Sequence, residues 1–79
     1  MKVKLYRRVG QRWRYYKLSI NQNLFGDYVL LREYGSIINS HTFERINILK
    51  TKVEAYRLLQ YVLINKLKRG YMLQQKKTV

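Results

Sequence analysis

Between residues 12 and 21 the chain alternates along an extended backbone. Arg14, Tyr16, Leu18 and Ile20 fall on one side, and Trp13, Tyr15, Lys17 and Ser19 on the other. Alternation with period two, rich in aromatic rings, predicts a strand. Asn21-Gln22-Asn23 and Gly26-Asp27 bracket a turn, with Leu24 and Phe25 as its apolar anchors and Phe25 expected in the core. Residues 28–38 and 41–49 predict two further strands joined at Asn39-Ser40.

The period then changes. Thr51 followed by Glu54 has the spacing of a capping box, in which the threonine oxygen and the glutamate carboxylate satisfy each other's backbone amides. From there Ala55, Tyr56, Leu59, Val62, Leu63 and Leu67 form a stripe at helical spacing. Gly70 is placed to end the helix in the left-handed conformation, with Lys68 and Arg69 complementing the negative end of the helix dipole. Strands followed by one amphipathic helix predict an α+β domain: a small curled antiparallel sheet of at least three strands, with the long C-terminal helix on one face. Residues 1–11 read as a basic arm, 12–71 as the domain and 72–79 as a basic tail.

If Asn39-Ser40 is a two-residue hairpin loop, Tyr34 stands opposite Arg45 and Ile37 opposite Thr42. One sheet face then gathers Val29, Leu31, Ile37, Ile46 and Ile48, for the helix to cover together with Leu18 and Ile20. The other gathers Arg32, Tyr34, Ser36, His41, Phe43 and Arg45, joined by Trp13, Tyr15 and Lys17. Slipping the register by one residue would exchange the faces. The second face interleaves rings with cations, the combination that neutralises phosphates and stacks on bases or sugars. Packing competes with ligand contact for Trp13, Tyr15 and Tyr34, since small domains need aromatic residues for burial. Tyr16 and Tyr56 read as core.

Composition narrows the function. Seventy-nine residues make one small domain, in which only about 60% of the unfolded surface can be buried and a large catalytic cleft is not expected. Without cysteine there are no disulfides, thiolate nucleophiles or cysteine zinc sites. One histidine and four scattered acids, Asp27, Glu33, Glu44 and Glu54, leave few parts for an active site, so no catalytic residues, metal or cofactor are expected. The formal charge is +13 and the isoelectric point about 10.4. A compact domain so charged is expected to bind a polyanion. No apolar run follows the basic N-terminus, so no secretory signal is read there. The apolar stretch 53–67 is interrupted by Glu54, Arg57, Gln60, Asn65 and Lys66, which predicts a cytoplasmic protein, free or nucleoid-associated, rather than a membrane one.

Three pieces carry a family resemblance. They are Tyr16-Lys17-Leu18; Leu24-Phe25-Gly26-Asp27-Tyr28 with Leu31-Arg32-Glu33-Tyr34-Gly35; and Glu54-Ala55 with residues 66–71, which end in Gly70-Tyr71. In this order and spacing the chain, from about Trp13 to Tyr71, resembles the WGR domain, a module of DNA-break-sensing poly(ADP-ribose) polymerases and of short bacterial proteins. The resemblance implies a curled antiparallel sheet with a packed helix. It also implies a DNA-contacting aromatic-Gly-Arg motif, whose aromatic position falls on Tyr34 and whose glycine falls on Gly35. The arginine position holds Ser36, which offers one neutral hydrogen bond in place of a charged fork. Ile38 stands where a glycine usually follows. Arg45 or Arg32 is the expected substitute cation.

The leading expectation is a non-catalytic nucleic-acid-binding module, with DNA favoured over RNA. It would use mainly backbone contacts through Trp13, Tyr15, Lys17, Arg32, Tyr34, Gly35, Ser36, Arg45, Lys68 and Arg69. A module docking on an acidic protein partner is the alternative. A small RNA-cleaving toxin using His41, Tyr34 and Arg45 ranks below both. The residues leave open the oligomeric state and the form of nucleic acid.

Overall fold

The structure, a computed structural model, describes residues 1–38 and 42–74. It is an α+β fold in which one helix packs on a five-stranded antiparallel sheet. The strands are β1 (Lys2–Val9), β2 (Arg12–Gln22), β3 (Tyr28–Ser36), β4 (Thr42–Leu49) and β5 (Met72–Leu73), and α1 spans Lys52–Lys68. Their order across the sheet is β4-β3-β2-β1-β5, a meander closed at one edge by the short last strand.

The N-terminal segment, expected as an arm, is β1. Val9 pairs with Arg12 across the two-residue turn Gly10-Gln11, and Gly10 has φ 62°. A glycine at positive φ in the first central position is the signature of the hairpin turn whose twist matches that of its strands. At the other end, Met72 and Leu73 leave the expected tail to pair with Tyr6 and Leu5. The Gln74 amide donates to the Lys4 carbonyl at 3.0 Å.

The β2–β3 turn closes on its own hydrogen bonds. Asn23 Oδ1 accepts from the amides of Phe25 and Asp27, and Gly26 takes φ 84°. This leaves Leu24 and Phe25 pointing into solvent, Phe25 at 90% exposure. The core position expected for Phe25 is therefore wrong: the asparagine turn satisfies the backbone locally and needs no apolar anchor.

The β3–β4 register pairs Tyr34 with Phe43 and Gly35 with Thr42. The expected partners, Arg45 for Tyr34 and Thr42 for Ile37, are displaced by two residues. Asn39, Ser40 and His41 lie outside the described residues. A shift of two preserves which residues of β3 and β4 share a side, because side chains alternate with period two. What differs is the side taken by the helix. The core is Leu5, Tyr16, Leu18, Ile20 and Leu30 from the sheet with Ala55, Leu59 and Val62 from α1. Tyr16 pairs with Tyr34, Leu18 with Arg32 and Ile20 with Leu30, so α1 covers the Tyr34 side. Ile46 and Ile48, expected under the helix, are exposed on the opposite face, with Val29 and Leu31 half-buried beside them. Leu5, Leu18 and Leu30 are fully buried on the covered side, where α1 lies over β2, β3 and β4, while Ile46 and Ile48 alternate to the other face of β4.

Helix α1 begins as the threonine predicts, with Thr51 Oγ1 accepting from the Glu54 amide at 3.2 Å. It ends in a paired closure: the Tyr71 amide donates to the Lys66 carbonyl and the Gly70 amide to the Leu67 carbonyl, both at 3.1 Å. With Gly70 at φ 97°, this is the Schellman arrangement, and it turns Tyr71 back onto the last turn. A Cβ at residue 70 would meet only ordinary contact, with Arg7 Nε at 3.6 Å, so the left-handed backbone alone sets the cost of a side chain there. Gly70→Ala should destabilise the fold by roughly 1–2 kcal/mol, since a left-handed L-residue costs about that much. Thermal unfolding of the variant and the wild type checks this.

Candidate nucleic-acid interface

The register that builds the core also lines up rings beyond it. Tyr16, Tyr34 and Phe43 are consecutive cross-strand neighbours on β2, β3 and β4. Tyr16 and Tyr34 stack at 5.2 Å between ring centroids, and Tyr34 and Phe43 at 5.6 Å. Tyr71, delivered by the helix closure, meets Tyr16 edge-on at 6.1 Å. The ladder grades from buried Tyr16 through half-buried Tyr34 to Phe43, which is 58% exposed. Offset and edge-to-face pairs of this kind add about 0.5–1.5 kcal/mol each beyond their burial.

Cations border the ladder. Lys66 Nζ sits 4.5 Å from the Tyr16 ring centre, and the Arg7 guanidinium 6.0 Å from that of Tyr71. Alternation along each strand puts Arg7, Arg12, Arg14, Arg32 and Arg45 on this same side. All four acids lie elsewhere: Glu33 and Glu44 alternate to the opposite face, Asp27 sits at the far turn, and Glu54 stands in the first turn of α1. Burial pushes the Lys66 ammonium below the ordinary lysine value of 10.5, and repulsion from Arg69 and Arg32 pushes it further. A bound anion would relieve that repulsion.

At the open end of the ladder is a cleft of about 330 Å³ lined by Arg12, Arg14, Tyr34, Gly35, Ser36, Phe43 and Tyr71. It brings the Tyr34-Gly35-Ser36 tripeptide together with two guanidinium groups. Arg14 is the direct cross-strand neighbour of Ser36. The cation beside the serine therefore comes from β2, not from Arg45 or Arg32. Arg45 stands opposite Arg32 instead, and Arg32 donates through Nη2 and Nε to Asn47 Oδ1, at 2.9 and 3.3 Å. A larger hollow of about 840 Å³ is lined by Tyr6, Trp13, Ile37, Leu67, Tyr71, Met72 and Leu73, and no charged side chain lines it.

The candidate residues divide between two faces. Arg32, Tyr34, Ser36 and Arg45 share the helix side, and Lys68 and Arg69 are exposed at the C-terminal end of α1. Trp13, Tyr15 and Lys17 lie on the opposite face, where Lys17 Nζ approaches the Tyr15 ring at 5.4 Å and Arg8 the Trp13 ring at 5.9 Å. Gly35 serves both. Its backbone lines the cleft, while across the other face Tyr15 on β2 reaches past it to Thr42 Oγ1 on β4, at 2.9 Å. Arg12, Arg14, Tyr71 and Lys66 were not among the sequence candidates, and Phe43 was placed on the ring-and-cation face without being named as a contact residue. Arg14 was legible, since alternation in β2 puts it on the same side as Tyr16. Among the described residues no cluster of three or more metal-ligating side chains occurs, and no helix is long and apolar enough to cross a membrane.

Models of known protein families, curated proteins and solved structures were compared with the chain, and none matches.

The cationic cluster is testable without a ligand. An NMR titration of the side-chain amines should place Lys66 below 10.5, with Arg69→Ala moving it back toward that value. Because the unfolded chain then binds more protons in the window between the lowered and the ordinary value, stability contributed by this group rises with pH there. Lys66→Met should flatten that rise. A Lys66 that Arg69→Ala leaves unmoved would mean that burial alone sets the shift and the cations do not act on it as a cluster.

Proposed function

We propose that this chain is a non-catalytic, WGR-like module that binds nucleic acid, DNA in preference to RNA, through the helix side of its sheet. The observation that carries the reading is the cleft in which Tyr34-Gly35-Ser36 meets Arg12 and Arg14, on a face free of carboxylates among the described residues. Supporting it are the +13 charge and the agreement between the observed sheet-and-helix order and the fold that the resemblance implies.

The proposed mechanism divides the work by chemistry. Guanidinium groups grip phosphate oxygens in forked pairs, so Arg14 supplies from the neighbouring strand the charge that Ser36 lacks. Phe43, the exposed end of the ladder, offers a face for a base or sugar, and Tyr34 holds it in place by stacking. Lys66, Lys68 and Arg69 extend the track toward the end of α1. Among the described residues the one helix is packed on the sheet through Ala55, Leu59 and Val62, so binding is expected to depend on backbone charge more than on sequence.

Fluorescence-anisotropy titrations over a salt series test this on blunt duplex DNA, nicked DNA, single-stranded DNA and duplex RNA. With about 5 phosphates neutralised, log affinity should fall against log salt with a slope near −4 to −5 on duplex DNA. Arg12→Ala/Arg14→Ala should make that slope shallower by about 2, because each phosphate left unneutralised removes roughly 0.9 from it. Phe43→Ala should cost roughly 1–3 kcal/mol if a base stacks there. Trp13→Ala, on the other face, should leave affinity unchanged. Wild-type affinity and slope in the double arginine variant would overturn the assignment, and tighter binding to an acidic protein would favour the docking alternative.

A further inference from the structure

The sheet face away from α1 carries an ordered arrangement of charge. One row crosses four strands in register, Lys4 on β1, Lys17 on β2, Glu33 on β3 and Glu44 on β4. It reads plus, plus, minus, minus. Within a single sheet this is an unfavourable order, because like charges directly opposite each other on neighbouring strands are destabilising. Both Lys4–Lys17 and Glu33–Glu44 are such pairs.

The order becomes favourable when the row meets a copy of itself. A two-fold axis parallel to the strands, between two stacked sheets, reverses the row while keeping its height along the strand. Lys4 and Lys17 of one copy then face Glu44 and Glu33 of the other, at both ends of the row. The same operation lays Lys2 and Ser19 over Ile46 and Leu31, so the lysine stem covers apolar surface. The face is also uncovered and apolar in parts, with Trp13 41%, Ile46 61% and Ile48 65% exposed. In the next row Tyr15 is held across Gly35 by its hydrogen bond to Thr42. Four strands of about eight residues span roughly 19 by 26 Å, on the order of 500 Å² in plan and more once side chains are followed. That approaches the ~800 Å² that each partner contributes to a standard interface.

We propose that this face binds a second copy of the chain, forming a two-fold sheet-on-sheet dimer selected by the Lys4-Lys17-Glu33-Glu44 row. Both cationic helix sides then point outward. The proposal does not rest on nucleic-acid binding, and its test contains none.

Sedimentation velocity of the purified chain, at about 0.15 M salt to screen the overall charge, reads the association directly. The wild type should dimerise with increasing concentration. Lys4→Glu/Lys17→Glu makes the row all negative and Glu33→Lys/Glu44→Lys makes it all positive, so each alone should associate at least about tenfold more weakly. Mixed in equal amounts, the two variants should recover a heterodimer. Circular dichroism checks that each is folded, and Glu33→Gln/Glu44→Gln, which keeps the shapes and removes the charge, reads the same row by a smaller loss. A wild type that stays monomeric overturns the proposal. So does a dimer that survives both charge reversals, which must form elsewhere, or a mixture that fails to associate.

Discussion

One helix can cover only one face of a sheet, and nearly everything else about this protein follows from which face that is. The choice rests with Leu5, Leu18 and Leu30, fully buried on three strands, against Ala55, Leu59 and Val62 of α1. A core this small has no second apolar layer. In a native state held by about 5–15 kcal/mol, burying these leucines is a large share of the favourable balance. Once they face inward, strict alternation sends every other residue of the sheet to an assigned side. Arg7, Arg12, Arg14, Arg32 and Arg45 come to the helix side, while Lys2, Lys4, Lys17, Glu33 and Glu44 go to the other.

The end of α1 is as consequential as its packing. The helix stops at Lys68, and the ladder of Tyr16, Tyr34 and Phe43 continues across the sheet past it. Where the helix ceases to cover the sheet, the surface changes from aliphatic core to aromatic and cationic cleft. Gly70 makes the change sharp. Its left-handed backbone reverses the chain so that Tyr71 joins the ladder and the next two residues reach β1. The structural cap and the proposed binding surface thus share residues: Lys66 accepts the closing hydrogen bond through its carbonyl and places its ammonium over Tyr16.

Much of the fold was legible because it depends on local rules. The alternation around Tyr16, Leu18 and Ile20, the Thr51 cap and the Gly70 stop all act within a few residues. The Gly10-Gln11 turn was equally local, but the density of charge around it made a strand look like an arm. Phe25 misled for a different reason, since a large apolar residue argues for burial only when the backbone beside it still needs partners, and Asn23 had already supplied them. The site was legible in part. Tyr34, Gly35 and Ser36 do line the cleft, yet Arg14 lies more than twenty positions earlier in the chain and becomes the neighbour of Ser36 only through β2–β3 pairing.

The elements, the alternation within each strand, the aromatic-Gly-Ser tripeptide and the excess of positive charge could all be read along the chain. These are properties of short segments and of simple sums. Which of two apolar strand faces the helix would occupy could not be read there, because both Val29-Leu31-Ile46-Ile48 and Leu5-Leu18-Ile20-Leu30 are suitable. Tertiary packing decided between them: α1 lies over β2, β3 and β4 on the side of Leu18, Ile20 and Leu30, and there Leu5, Leu18 and Leu30 become fully buried. That decision separated Trp13, Tyr15 and Lys17 from Tyr34 and Arg45, and assembled the arginine cleft on one face and the ordered charge row on the other.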